Sequence, residues 1–447
     1  AERLRGPSLR RQRAVALQDP GNRHLAWLVG AVQLEGPRQL PEPTVAFTQG
    51  DYTVKRFGPD PNPMFYTFMG RRWIAANGAD LMKSVLSLAD GEGTPLGEDA
   101  RFEKVMKPAG GMGGTLACYV NVQRLMGFAR AFTPRTAQTA IDTLELAKIR
   151  AVDGPSRFAG GGMMDHEYLL SPGRRGGLLP GPDARVNPSL LSVAPRDAEM
   201  VSLSFVDPGA LYDAGMKLFQ DLAPEDYEDF ESAKARWERS TGFSVRRDFI
   251  ASLGSQMLTF SAPHENIFMI QVDDKDTFDS CLRKTAARWP DSVKLRTLNY
   301  RGQKIHHLDI TGMPFVLSPS YTYHRGHAVF GLFPQTLKRF IGRTAEEKDS
   351  IVDSEDFQRV LRGSLDGRAS IQYVDIDDNL VDFYDLLTMA VQALHAIEQV
   401  KIRPELFPSS RVLEPHVFDG SALCTSNDEG VLLDYYSPFG LMGHVTA

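Results

Sequence analysis

The densest run of residues able to do chemistry is Ile305-His306-His307-Leu308-Asp309, with His324 and His327 close behind it. Imidazole and carboxylate together could form an acid/base pair for hydrolysis, or could ligate a transition metal. Either use needs the groups on one side of the backbone. Neighbours on a strand point to opposite faces, so His306 and His307 are divided and only His307 and Asp309 share a side. Two ligands are too few for zinc. A hydrolase using His307 and Asp309 stands as one alternative reading, and the favoured role of the run is structural.

Asp375-Ile-Asp-Asp-Asn379, followed by Asp382 and Asp385, is the densest acidic stretch. A twelve-residue calcium loop wants glycine at its sixth position and glutamate at its twelfth, and Leu380 and Leu386 stand there instead. Acids at a helix start are favoured by the helix dipole without any ion. Gly110-Gly-Met-Gly-Gly114 follows a helical pattern and precedes a strand, the reverse of a phosphate loop, and no Lys-Ser/Thr pair follows it. In Asp165-His166-Glu167 alternation sets the histidine apart from the two acids. No nucleophile elbow, zinc-protease helix or dinucleotide fingerprint occurs. The expectation is therefore a non-enzyme with no catalytic, cofactor-binding or metal residues and no cofactor.

Composition narrows the class further. Hydrophobic residues make up 42% of 447 and charged residues 24%, so the chain folds, and its length suits two or three cores. A net charge of −6 gives no electrostatic reason to bind nucleic acid. Cys118, Cys281 and Cys424 stand singly, which argues against a disulfide framework; Cys118 and Cys281 read as small core hydrophobes. Leu25 to Val32 is apolar but too short to span a bilayer, so no transmembrane segment is expected. Ala1 in place of Met reads as a processed, trimmed or internal start.

The elements that would position these residues come in two runs. Phe65-Tyr-Thr-Phe-Met-Gly70, Trp73-Ile74, Leu81, Leu96, Phe102-Glu-Lys-Val105 and Tyr119-Val-Asn-Val122 recur as Tyr321-Thr-Tyr-His-Arg-Gly326, Val329-Phe330, Leu337, Ile351, Phe357-Gln-Arg-Val360 and Tyr373-Val-Asp-Ile376. From Gly70/Gly326 to Leu81/Leu337 the runs align without a gap. Asp153-Gly154 leads to Ser171-Pro172 as Asp419-Gly420 leads to Ser437-Pro438. The pattern reads as an internal duplication that repeats fold-bearing residues and no set of acids, bases, nucleophiles or ligands. Strands joined by tight turns and then covered by helices predict an α+β fold, each unit a mainly antiparallel sheet with helices on one face. The boundaries read as an extended N-terminal arm over 1–44, a shortened first repeat over 45–175, a Gly/Pro-rich linker over 176–197 and a complete second repeat over 198–447.

The order of these anchors, from the strand-Gly-strand hairpin through the Phe-x-x-Val helix to the Tyr-Val-(Asn/Asp) strand and the closing Ser-Pro hairpin, resembles an uncharacterised bacterial family known as a domain of unknown function. Its members are typically duplicated and often predicted to be secreted or in the envelope. The resemblance covers about residues 45–445 and brings no catalytic residues. It implies an envelope, periplasmic or secreted setting. The functional expectation is a non-enzymatic structural or protein-binding component, a subunit of a larger assembly or an envelope protein, with protein partners engaged through the arginine- and proline-bearing arm. A binder of a small apolar or lipid-like ligand is the other alternative.

Overall fold

The computed structural model describes residues 43–440, apart from 59, 61, 112, 174, 176–178, 312–316, 347–348 and 397–407. The expected arm falls almost wholly outside the described residues. The described residues divide into two compact units, one ending at 104 and the other beginning at 105.

In the smaller unit, β1 (Thr44–Gln49), β2 (Tyr52–Phe57), β3 (Met64–Met69) and β4 (Arg72–Ala76) form an antiparallel sheet in chain order. The tight β3/β4 turn uses Gly70 at φ 59°, a left-handed conformation glycine takes without strain. Helix α1 (Ala79–Ala89) lays Met82 and Leu86, four apart and fully buried, against Val54 and Ala76. Burying each such side chain contributes about 1.5–3 kcal/mol. Alternation along the strands then turns Tyr66, Phe68 and Trp73 to the opposite face. Helix α2 (Ala100–Met106) is capped by Asp99, whose Oδ1 accepts from the Arg101 and Phe102 amides.

The larger unit is built on β5 (Leu116–Val120), β6 (Ala151–Ala159), β7 (Gly162–Leu170), β8 (Met200–Phe205), β9 (Leu253–Ser261), β10 (Ile267–Val272), β11 (Val293–Tyr300), β12 (Gln303–Ile310), β13 (Ser320–His324), β14 (His327–Gly331), β15 (Ser370–Val374), β16 (Gly420–Ser426) and β17 (Gly430–Ser437). Among the described residues they form one 13-stranded sheet in the order β11-β12-β13-β14-β10-β9-β8-β15-β16-β17-β7-β6-β5, with antiparallel neighbours throughout. Its helices are α3 (Val122–Ala129), α4 (Arg135–Thr143), α5 (Pro208–Leu222), α6 (Pro224–Thr241), α7 (Lys275–Ala286), α8 (Pro334–Glu346), α9 (Glu355–Val360), α10 (Asp377–Ala396) and α11 (Ser410–Leu413). Val201, Leu203, Leu258, Met269, Val329, Ile371 and Leu423 fill one face and meet Leu337, Phe340 and Ile341 of α8.

The α+β character is as expected, and several finer expectations are corrected. Helices cover both faces. Thr322 and His324 of β13 look toward α8, while Tyr321 and Tyr323 reach Asp279 of α7 on the other side. The expected linker is partly core: 188–193 form a 3-10 turn, and Leu190, Leu191 and Val193 are buried. The two compact units divide at 104/105. Strands β5, β6 and β7 join the large sheet through β7 and β17, because a sheet edge is satisfied by whichever strand lies next to it. Cys118 is exposed on β5, whereas Cys281 and Cys424 are buried.

The recurring anchors lie on a recurring order of elements. β1 to β4, α1, a 3-10 turn at Leu96, α2, β5 and β6-β7 are matched by β11 to β14, α8, a 3-10 turn at Ile351, α9, β15 and β16-β17. The hairpins correct the gapless register by one residue. Met69 pairs with Arg72 around Gly70-Arg71, and His324 with His327 around Arg325-Gly326, so Thr67 corresponds to Thr322. Both threonines donate to a carbonyl of the preceding strand, Thr67 to Thr53 at 2.9 Å and Thr322 to Lys304 at 2.8 Å. The same register matches buried Met82 and Leu86 with buried Leu337 and Ile341. Strands β8 to β10, together with α7, have no counterpart among the described residues of the first run.

Candidate functional site

His306 and His307 do face opposite ways. The His306 ring stacks on Tyr321 with centroids 4.8 Å apart, and its Nδ1 lies 3.0 Å from Thr297 Oγ1. Burial lowers its pKa. His307 Nδ1 lies 3.2 Å from Ser318 Oγ, a hydroxyl beside a histidine that spacing alone does not reveal. Ser318 spends its proton on the Leu308 carbonyl at 2.7 Å, so it offers His307 a lone pair and not a hydrogen to abstract. Asp309 is engaged by Arg296 at 2.6 Å. A base, its orienting acid and a nucleophile are thus not assembled here. His324 and His327 pair across the β13/β14 turn, each with a buried Nε2 that has no hydrogen-bond partner. Burial, reinforced by Arg325, holds His324 neutral with its pKa at about 4.

The Asp165-His166-Glu167 run splits as alternation requires. His166 Nδ1 sits 2.7 Å from Asp434 Oδ1, and Arg368 Nη1 donates to Asp434 Oδ2 at 3.0 Å and to Thr425 at 2.7 Å. Burial pushes the Asp434 carboxyl up, but the bonds from His166 and Arg368 outweigh it and hold the group below its usual range. This cluster ties β7, β17 and β16 together. The glycine run at 110–114 lies between α2 and β5, as its order implied.

Two buried aspartates escaped the sequence reading. Asp153 is 1% exposed, and neither carboxylate oxygen has a hydrogen-bond partner. Burial lifts its pKa to about 7. Tyr119 lies directly opposite it on β5 and Tyr168 on β7. Asp419 is 2% exposed and takes a 2.7 Å bond from Tyr373 on its Oδ2. The only signal was the recurrence of Tyr-Val-(Asn/Asp) and Asp-Gly. Both aspartates thus lie near a tyrosine of an adjacent strand, Asp153 directly across from Tyr119 and Asp419 just ahead of β16 within hydrogen-bond reach of Tyr373.

Two clefts of about 430 and 720 Å³ share His264. The larger is lined by Arg196, Asp197, Glu265, Arg343, Asp349 and Asp356, a charged wall ill suited to an apolar ligand. Among the described residues no helix is long and apolar enough to cross a membrane.

Among the described residues of the smaller unit, the outer face of its sheet exposes large apolar side chains. Phe68 is 63% and Trp73 61% exposed, and both rings lie within 6.4 Å of the Tyr66 ring. The matching face of β13 is covered over Tyr321 and Tyr323. Tyr321 and Tyr323 donate to Asp279 of α7, Lys275 of α7 lies 4.2 Å over the Tyr323 ring, and Phe268 of β10 packs on Phe330. β10 also pairs with the edge of β14, whereas among the described residues β4 ends its own sheet. Compared with protein-family models, curated proteins and solved structures, the chain has no significant match.

Proposed function

We propose that the chain is a non-catalytic, protein-binding component of a larger assembly, and that the outer face of β1 to β4 receives its partner. The observation that carries this reading is the contrast between the two hairpins: Phe68 and Trp73 lie open beside half-buried Tyr66, where the matching Tyr321 and Tyr323 are covered by Asp279 and Lys275 of α7. Aromatic side chains grouped on a surface are the usual anchors of protein contacts. The partner segment has the chemistry of the roof on the second hairpin, a strand for the edge of β4 followed by a helix with an apolar face and a carboxylate for the Tyr66 hydroxyl. We also propose that the two runs descend from one duplicated unit, as in the family whose anchors they resemble. Neither the hydrolase nor the apolar-carrier reading has an observation in its favour.

A photo-crosslinking residue placed at Phe68 in the cells of the source tests the proposal, with one at the exposed Leu211 as the comparison. The expected result is one defined protein adduct at 68, absent at 211 and abolished by Trp73→Ser. Equal labelling at both positions, or none at 68, would overturn it.

A further inference from the structure

Asp375 follows β15, Asp377 opens α10, and Asp419 precedes β16. Strands β15 and β16 are paired, with Val374 opposite Gly420, so Asp375 and Asp419 extend from the same end of one ladder. Each of the three residues offers a carboxylate oxygen, and these oxygens all lie within 4.8 Å of one another. Like charges so close repel unless a cation or protons intervene.

A helix start explains Asp377 without an ion, but it does not explain Asp419. That side chain is almost wholly buried; Tyr373 donates to its Oδ2 and leaves Oδ1 with no hydrogen-bond partner. A buried carboxylate oxygen without a partner is costly and rare. Among the described residues Arg359 acts on Asp419, but it is paired with Asp356 at 3.0 Å. Asp375 and Asp377 are half-buried, so the cluster has both a buried floor and an approach from solvent.

We propose that Asp375, Asp377 and Asp419 bind one hard divalent cation, calcium by preference, with Tyr373 fixing the orientation of Asp419. All donors are oxygens, which suits calcium or magnesium and not zinc or copper. Oxygens up to 4.8 Å apart can lie across a calcium ion, whose bonds run to about 2.3–2.6 Å, more readily than across magnesium at about 2.0–2.1 Å. The site would tie the end of β15 to the start of α10 and to β16. It is independent of the aromatic face on the smaller unit.

Calorimetric titration of the chelator-treated full chain with CaCl₂, repeated with MgCl₂, tests the assignment. The expected result is one calcium per chain, weaker magnesium binding, and a rise in melting temperature with calcium. Asp377→Asn, a half-buried position that should leave the fold intact, weakens calcium binding about tenfold or more. Asp419→Asn abolishes it, and Asp385→Asn on the same helix leaves it unchanged. Terbium bound in place of calcium should luminesce when tyrosine is excited, and Tyr373→Phe should dim that emission. No calcium binding, tighter magnesium binding, or binding that Asp377→Asn leaves unaltered would each overturn the proposal.

Discussion

Single side chains here show how burial sets the value of a charge. Asp153 has a pKa of about 7 in the folded chain against about 3.9 unfolded, so between these values the folded state holds the extra proton. Its contribution to stability therefore falls as pH rises from about 4 to 7. Asp153→Asn removes that titration. The difference in unfolding free energy between variant and parent should move in the variant's favour by a few kcal/mol from pH 4.5 to 7.5, read from urea melts. A difference that does not change with pH would refute the account. Two ion pairs give a second contrast. Arg343 donates to Glu265 at 2.7 Å and to the Val193 carbonyl at 2.7 Å, with both charged side chains largely buried. Arg343→Ala strands Glu265 and should cost about 3–5 kcal/mol. Arg296→Ala breaks the exposed pair with Asp309 and should cost less than about 1 kcal/mol.

At the level of elements, close backbone approach decides which glycines matter. A Cβ on Gly154 in β6 would fall 2.3 Å from the His166 carbonyl oxygen of β7, a backbone atom that can move only if the ladder opens. Gly154→Ala should destabilise by about 1–3 kcal/mol or more. Gly127, inside α3, has nothing within 4 Å of its missing Cβ. Gly127→Ala should be stabilising by about 0.5–1 kcal/mol, since alanine favours the helix. Paired chemical melts of the two variants check both signs. The repeated hairpins show that a turn, more than a matched glycine, fixes register. Gly70 and Gly326 align in sequence but occupy the first and second turn positions, and Thr67 and Thr322 reveal the true correspondence.

At the scale of the whole molecule, the two units carry separate cores, one around Val54, Met82 and Leu86 and another around Leu203, Leu258 and Phe340. Scanning calorimetry should show two transitions. Met82→Ala should lower only the transition of the smaller unit and Leu258→Ala only that of the larger, each by about 2–5 kcal/mol. A single transition shifted by either substitution would contradict the division.

The sequence by itself determined the local structure. Turn glycines and alternating apolar residues act over a few positions, so the α+β class and the opposite facings of His306 and His307 were legible without coordinates. Only the tertiary structure decided what distant segments do to one another. It joined β7 to β17, set α7 and α8 on opposite faces, and buried Leu190 and Leu191 from a stretch whose composition reads as linker. It also brought Asp419 to Asp375 across 44 residues and left Asp153 without a hydrogen-bond partner. The reason is physical: a side chain's charge and use depend on burial and on partners far away in the chain, and neither is encoded in its immediate neighbours.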